Sequence, residues 1–216
     1  MRPPAGLAEA RLYGIVDLGY VEFSEVERVA REMVAGGVDV IQLRGKKLAA
    51  SELSGVAVRL HAITQDAGIP LVINDHPEIA RDIGAEGVHV GQDDIDVAEA
   101  RRAAGEDCFV GKSTHSFEQA RRAVAEGADY IGFGPLFATP TKPDYEAIGL
   151  DDISRVHRAV TLPIFCIGGI KFENLADVVA AGARRVVIVS GLLQAADIAE
   201  YARAAKAMLP PVSNNK

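Results

Sequence analysis

Short runs of hydrophobic residues alternate with amphipathic segments along the chain. Each run is nearly continuous and most are rich in valine and isoleucine, which is typical of strands covered on both faces in a parallel sheet. The runs are Leu12–Val16, Val38–Leu43, Pro70–Ile73, Gly87–Val90, Cys108–Val110, Tyr130–Phe133, Pro163–Ile167 and Arg185–Val189. The pattern therefore predicts eight β-strands.

The segments between these runs carry the periodicity of helices. Residues Phe23–Ala35 place Val26, Val29, Ala30 and Met33 at steps of three and four, which puts them on one helical face. Ser51–Ala67 repeats the pattern, and a hydroxyl at its first residue predicts a helix cap there.

Strand-like and helix-like segments alternate at a spacing of roughly 20–30 residues, which gives a closed barrel or an open doubly wound sheet. Eight such units favour the barrel, and no GxGxxG motif follows the first strand. We predict an α/β protein with a single (β/α)8 TIM-barrel domain over residues 1–216, and we expect residues 1–10 and 210–216 to be frayed.

Composition narrows the classes of function. The chain has 216 residues, 49% of them hydrophobic, and a formal net charge of −7. This acidic balance argues against a nucleic-acid binder, which needs a basic surface. No apolar run approaches the ~18 residues of a membrane span, and no secretory signal begins the chain. Cys108 and Cys166 lie in apolar runs, so buried reduced thiols are favoured over a disulfide. We expect a soluble cytoplasmic protein that binds neither nucleic acid nor membrane.

Polar residues follow the strands where an active site is expected. In (β/α)8 barrels the catalytic residues lie at the carboxyl ends of the strands. Here those ends carry the stretches 42–46 (QLRGK), 74–75 (ND), 91–94 (GQDD), 112–115 (KSTH), 134–142 (GPLFATPTK), 168–169 (GG) and 190–191 (SG). Their coincidence on one rim predicts a binding site.

Three cations, Arg44, Lys46 and Lys142, fall on this rim. Arginine offers a planar fork and lysine a compact charge, and together they suit a diphosphate. The alternative is that they are solvated rim charges or members of surface ion pairs.

Asp75 and Asp94 end neighbouring strands, so their carboxylates are expected to approach one another. Oxygen ligands beside phosphate-binding cations suggest Mg²⁺, held by one or two carboxylates and the substrate phosphates. The alternative is that either residue caps the following helix. Zinc is disfavoured because no set of cysteine and histidine ligands has suitable spacing.

Glycine, serine and histidine residues after the strands are further candidates for ligand contact. Gly168-Gly169 and Ser190-Gly191 follow the seventh and eighth strands, where loops of this fold commonly hold a phosphate through backbone N–H groups. His115 is a candidate for substrate contact, although a structural role is favoured. Ser113 has no evident base partner of triad type, so we expect it to donate a hydrogen bond to a substrate oxygen rather than act as a nucleophile.

These stretches resemble the thiamine-phosphate synthase family in order and spacing. The resemblance extends from about Arg11 to Met208, and its specific parts are the stretches GPLFATPTK and GQDD. The family joins a hydroxymethylpyrimidine diphosphate to a thiazole phosphate and releases pyrophosphate. The resemblance implies a dissociative displacement in which pyrophosphate leaves before the thiazole nitrogen attacks.

Roles for individual residues follow from the resemblance. It implies that Gln42, Arg44 and Lys46 hold the pyrimidine diphosphate beside Asn74, and that Asp75 and Asp94 bind Mg²⁺. Ser113 and Lys142 would contact the pyrophosphate or the pyrimidine. The thiazole phosphate would be bound by Thr139, Thr141, Gly169, Val189 and Ser190. The resemblance also suggests a homodimer, and we expect residues 138–146 to form a mobile lid.

The chain departs from the family pattern at two positions, and two alternative functions stay open. Gly45 stands where an acidic residue is common, and Lys112 stands where an apolar residue is common. The motif Ser113-Thr114-His115-Ser116 also fits the related thiazole tautomerases, in which His115 would be the acid–base. A non-catalytic protein that senses a phosphate ligand is the third hypothesis.

Overall fold

Eight parallel strands close into a barrel in the order in which they occur along the chain. The computed structural model describes residues 6–139 and 146–212. The first strand pairs with the second and with the eighth, which closes the sheet. This confirms the predicted (β/α)8 barrel.

Helices and strands alternate along the chain, and two helices follow the last strand. The strands are β1 (Leu12–Asp17), β2 (Val40–Arg44), β3 (Leu71–Asn74), β4 (Gly87–Val90), β5 (Phe109–Thr114), β6 (Tyr130–Phe133), β7 (Ile164–Cys166) and β8 (Val186–Ile188). The helices are α1 (Val26–Ala35), α2 (Ala50–Ala67), α3 (Pro77–Ile83), α4 (Val97–Ala104), α5 (Phe117–Ala125), α6 (Ile153–Ala159), α7 (Phe172–Ala180), α8 (Ser190–Leu193) and α9 (Ile198–Met208). Each predicted strand is present, with ends that differ by at most a few residues.

Alternate residues of each strand face two separate cores. Leu12 and Val16 of β1 belong to the large cluster that includes the helix faces. Tyr13 and Ile15 belong to a second cluster, which fills the barrel and is rich in aromatic rings. This period of two follows from the pleat of the strands. It decides which side chains can reach a site inside the barrel.

The amino-terminal stretch contributes to the inner cluster. Leu7 is fully buried and Ala10 is 2% exposed, both within that cluster. The expectation that residues 1–10 are frayed is therefore wrong for this part of the stretch, because two apolar side chains anchor it.

The first two helices test the predicted periodicity. In α1 the buried residues are Val26, Val29, Ala30 and Met33, as predicted. Helix α2 begins at Ala50, and its N-cap position is Ala49, so the predicted cap by the Ser51 hydroxyl is wrong. The Ala49 N–H instead donates to the Glu52 carboxylate at 3.2 Å.

Both cysteines are free and buried, as expected from the apolar runs around them. Burial raises the pKa of each thiol to about 12. Within residues 6–139 and 146–212, the helices are too short or too polar to cross a membrane.

Candidate active site

A cavity opens at the carboxyl ends of the strands. Its volume is about 900 Å³, counting the part that is open to solvent. Predicted site residues that line it are Gln42, Arg44, Asn74, Ser113, Thr139, Gly169, Val189 and Ser190. The structure thus brings together most of the predicted side chains from six different strands or the loops after them.

Arg44 forms an ion pair that the sequence reasoning missed. Its Nη1 donates to Asp17 Oδ2 at 2.6 Å, and the two side chains are only 14% and 4% exposed. Asp17 and Arg44 are register partners on β1 and β2, so the pair follows from the strand alignment. Asp17 directly follows the first predicted strand, and that position was the available signal. The pair holds the guanidinium in place at the wall of the cavity.

Lys46, Asp75 and Asp94 form a second group, which does not line the cavity but lies at the ends of neighbouring strands. Lys46 Nζ lies 3.4 Å from Asp75 Oδ2. Burial raises the pKa of Asp75, the hydrogen-bonded neighbour Asp94 raises it further, and Lys46 partly offsets the shift. The two carboxylates therefore approach one another, as two groups that share a proton or a cation must.

Backbone geometry favours this arrangement over helix capping. Asp75 has a φ of +64°, which is uncommon for a residue other than glycine. Asp94 Oδ2 accepts from the Gly91 N–H at 2.7 Å within the loop. The cap of α4 is Asp96, and the cap position of α3 is His76. Neither Asp75 nor Asp94 is an N-cap residue.

The donor set suits a hard divalent cation. Two adjacent carboxylates supply only oxygen ligands, which is the chemistry that Mg²⁺ prefers when substrate phosphates complete its shell. Among the described residues, no three histidine, cysteine or acidic side chains gather to form a metal site of protein ligands alone. A cation here would complete its coordination with water or substrate oxygens.

A hydrogen-bonded row of side chains crosses the barrel and lines the cavity. His89 Nε2 lies 2.9 Å from Ser113 Oγ, and His89 Nδ1 lies 2.9 Å from the Tyr130 hydroxyl. The Tyr130 and Tyr13 hydroxyls are 3.1 Å apart, and Gln42 Nε2 donates to Tyr13 at 2.8 Å. His89 is a hydrogen-bond partner of Ser113 that the sequence does not reveal, because the sequence does not show that β4 directs His89 into the barrel.

This row does not form a nucleophilic triad. The second nitrogen of His89 faces a tyrosine hydroxyl rather than a carboxylate. Burial raises the pKa of Tyr130 well above its ordinary value, and that of Tyr13 as well, so both phenols stay protonated. Ser113 is therefore better suited to hydrogen bonding than to attack.

The loop after β7 adopts a conformation that requires glycine. Gly168 and Gly169 have φ values of +99° and +64°. A Cβ on Gly169 would lie 2.7 Å from Phe137 Cβ, and one on Gly168 would overlap Pro135. The backbone at both residues therefore packs closely against the loop after β6. Helix α8 begins at Ser190, with Val189 in the N-cap position.

The remaining candidates are His115, which lies at the cavity, and residues of the loop after β6. His115 lines the cavity, and its Nδ1 pairs with the Gly134 carbonyl oxygen. Thr141 and Lys142, and most of the expected lid over residues 138–146, lie outside the described residues.

Lys112 and Gly45, the two departures from the family pattern, each make contacts that the structure shows. Lys112 Nζ donates to the Gly91 carbonyl at 2.7 Å, which ties β5 to the loop that carries Asp94. A Cβ on Gly45 would lie 2.8 Å from Leu53, so the absence of a side chain there permits close packing against α2.

The fold and the cavity define a (β/α)8-barrel protein whose polar site occupies the position of active sites in such barrels. Residues 12–192 match the family model described as thiamine monophosphate synthase. A thiamine-phosphate synthase of Chloroflexus aurantiacus is 41% identical over 206 residues, 95% of each chain. One of Methanoculleus marisnigri is 44% identical over 176 residues, 81% of this chain and 83% of its own.

A solved structure shows the same relationship. The thiamine phosphate pyrophosphorylase of Pyrococcus furiosus superposes with a TM-score of 0.85 at 28% identity, over 94% of this chain and 96% of its own. This chain belongs to the thiamine-phosphate synthase family, and it is accordingly a transferase.

Proposed function

We propose that the chain couples 4-amino-5-hydroxymethyl-2-methylpyrimidine diphosphate with a thiazole phosphate to give thiamine phosphate and pyrophosphate. The observation that carries the proposal is the placement of the Asp75–Asp94 pair beside Lys46, at the same rim as Arg44. Such a combination of carboxylates and cations suits a metal-bound diphosphate better than a phosphate monoester alone.

The diphosphate would bind between Arg44 and Lys46. Both cations already contact carboxylates before substrate arrives, since Asp17 holds the partly buried Arg44 and Asp75 lies 3.4 Å from Lys46. Lys142, outside the described residues, is proposed to join them. Charge accumulates on pyrophosphate as it leaves, so cations held in place act where the charge develops.

Mg²⁺ bound by Asp75 and Asp94 would neutralise part of the charge on the departing pyrophosphate. Asp75 has a raised pKa because it is partly buried and lies beside a second carboxylate, and a cation relieves the repulsion between the two.

The pyrimidine and the thiazole phosphate would occupy the cavity itself. Gln42, Asn74 and Ser113 offer polar groups to the pyrimidine from three neighbouring regions of the wall. Gly169, Val189 and Ser190, with Thr139 and Thr141, are proposed to hold the thiazole phosphate. Binding both partners in one cavity supplies orientation, and the thiazole nitrogen needs no general base.

The decisive experiment measures pyrophosphate release from the pyrimidine diphosphate with thiazole phosphate, with and without Mg²⁺. We expect Mg²⁺-dependent release in the unaltered protein. Asp94→Ala should lower the rate at least ~100-fold, the usual scale for loss of one charge-stabilising group. Asp93→Ala is the matched control, because this neighbouring carboxylate is exposed to solvent. Equal losses in both variants would contradict the assigned metal site.

The same assay separates the two alternatives. If the chain were a thiazole tautomerase, His115→Ala would abolish activity and pyrophosphate release would be absent. If it were a phosphate sensor, thiazole phosphate would bind without any turnover. His115 is held by the Gly134 carbonyl oxygen, so we expect His115→Ala to have a far smaller effect than Asp94→Ala.

Two further expectations belong to the proposal. The buried thiols Cys108 and Cys166 suit the reducing cytoplasm, where we place the reaction. A homodimer remains a prediction from the family resemblance, and sedimentation of the purified protein would test it.

A further inference from the structure

The polar row that lines the cavity is built around a glycine, Gly111. His89, Gly111 and Tyr130 are register partners on β4, β5 and β6. Because Gly111 has no Cβ, the imidazole and the phenol meet across β5. An added Cβ at Gly111 would lie 2.5 Å from the Tyr130 hydroxyl oxygen. The strand alignment therefore brings His89 and Tyr130 together, and His89 Nδ1 lies 2.9 Å from the Tyr130 hydroxyl.

The donors in this row can be assigned by counting hydrogens. The Gln42 amide nitrogen can only donate, and it donates to the Tyr13 hydroxyl. The Tyr13 oxygen accepts from Gln42, and the arrangement that gives every hydroxyl hydrogen an acceptor within the row directs the Tyr13 hydrogen to Tyr130. The Tyr130 hydrogen is directed in turn to His89 Nδ1. A neutral imidazole that accepts at Nδ1 carries its hydrogen on Nε2, which then donates to Ser113.

The phenols can sustain this order because they are buried. Tyr13 and Tyr130 are each 1% exposed. Three further rings surround them, and Phe165 lies edge-on at 5.3 and 5.7 Å from the two phenol rings. In such surroundings each hydroxyl needs a partner on both sides, and the row supplies them.

We infer that Gln42, Tyr13, Tyr130 and His89 form a one-way hydrogen-bond relay that makes Ser113 a hydrogen-bond donor to the ligand in the cavity. Ser113 Oγ already accepts from His89, so its own hydrogen is directed elsewhere, and the residue lines the cavity. Tyr13, Tyr130 and His89 are positioning residues in this scheme. At the other end, the Gln42 carbonyl oxygen is left as an acceptor. The inference rests on the proposed function for the nature of the ligand.

The first test concerns the ligand-free protein and does not depend on activity. Nitrogen-15 NMR of histidine-labelled protein at pH 7.5 reports which ring nitrogen of His89 carries hydrogen, and His89→Gln assigns the signal. We expect the Nε2–H form in the unaltered protein. We expect that preference to be lost in Tyr130→Phe, which removes the donor to Nδ1. Phe109→Leu is the packing control, because it alters the ring beside Tyr130 without removing a hydrogen bond. It should retain the Nε2–H form.

The second test is a double-mutant cycle on pyrophosphate release. Tyr130→Phe should lower kcat roughly tenfold with little change in KM, the rate equivalent of about one hydrogen bond. In a Ser113→Ala background, the same substitution should have no further effect, because the relay acts through Ser113. Tyr13→Phe should behave in the same way, and it serves in place of Tyr130→Phe if that variant does not fold.

The outcomes separate this inference from the proposed function. His89 with its hydrogen on Nδ1 would mean that the row runs in the opposite direction, with Ser113 as an acceptor, and would overturn the relay. The relay would also be overturned if Tyr130→Phe lowered kcat by the same factor in the Ser113→Ala background as in the unaltered protein. Absence of pyrophosphate release from the unaltered protein, with His89 in the Nε2–H form, would reject the function and leave the relay intact.

Discussion

A single glycine determines how the aromatic residues of the barrel interior pack. Gly111 leaves the space that the Tyr130 phenol occupies, and the ring then lies 5.5 Å from the His89 ring. The local sequence places this glycine directly after a predicted strand but does not show which side chains it adjoins. Its role follows from its register partners on β4 and β6.

Gly111→Ala should therefore lower the free energy of unfolding by about 1–3 kcal/mol, since its methyl group would overlap a buried ring. Urea unfolding followed by circular dichroism measures the change. Gly55→Ala is the matched control. A Cβ at that helical position meets nothing within 4 Å, so a gain of about 0.5–1 kcal/mol is expected. Equal stabilities for the two variants would contradict the steric argument.

At the scale of elements, the helices begin in different ways. Asp96 Oδ1 accepts from the Glu99 N–H at 2.7 Å and caps α4. Asp152 stands at the same position of α6 but makes no such bond. Both are aspartates before a helix, and the sequence alone gives them the same expectation. The backbone separates them, because Asp96 has an extended ψ of 165° whereas Asp152 has a helical ψ of −6°.

Asp96→Ala should lower the free energy of unfolding by about 1 kcal/mol, because a helix N–H loses its acceptor. Asp152→Ala, with no capping bond to lose, should change it by less than about 0.5 kcal/mol. Thermal and urea unfolding of both variants provide the comparison. A larger loss for Asp152→Ala would show that capping at these sites does not depend on the backbone conformation.

At the scale of the whole molecule, a buried histidine couples folding to pH. His157 lies in α6, and its Nδ1 pairs with the Ile153 carbonyl oxygen at 2.9 Å. Its pKa is lowered chiefly by burial, and the nearby Arg185 and Arg184 lower it further. The folded barrel therefore holds this imidazole neutral at pH values where the unfolded chain would protonate it.

The free energy of unfolding should fall at acidic pH because His157 binds a proton more readily in the unfolded chain. Below the ordinary histidine pKa of about 6.5, the unfolded chain binds a proton that the folded barrel does not, so stability falls as pH falls. Above that pH the contribution of the neutral histidine is fully present. His157→Gln should lose less stability than the unaltered protein between pH 7 and pH 5, measured by urea unfolding at each pH.

The architecture could be predicted from the sequence because the signals for it are local. Runs such as Tyr130–Phe133 and stripes such as the buried face of α1 reveal strands and helices without knowledge of their neighbours. Since parallel strands in a (β/α)8 barrel all end at the same rim, the polar residues after them could be assigned to one site. Gln42, Ser113 and Ser190 could be assigned to one site on this basis, and all three line the cavity.

Only the tertiary structure decided which partners these residues have. Asp17 pairs with Arg44, and Ser113 with His89, because strands distant in sequence align in a particular register. Tyr13 and Tyr130 read as ordinary apolar positions within strands, yet their hydroxyls meet 117 residues apart in the chain. A strand's sequence gives its period of two, but the closure of the barrel selects which alternate residues face inward and what they contact there.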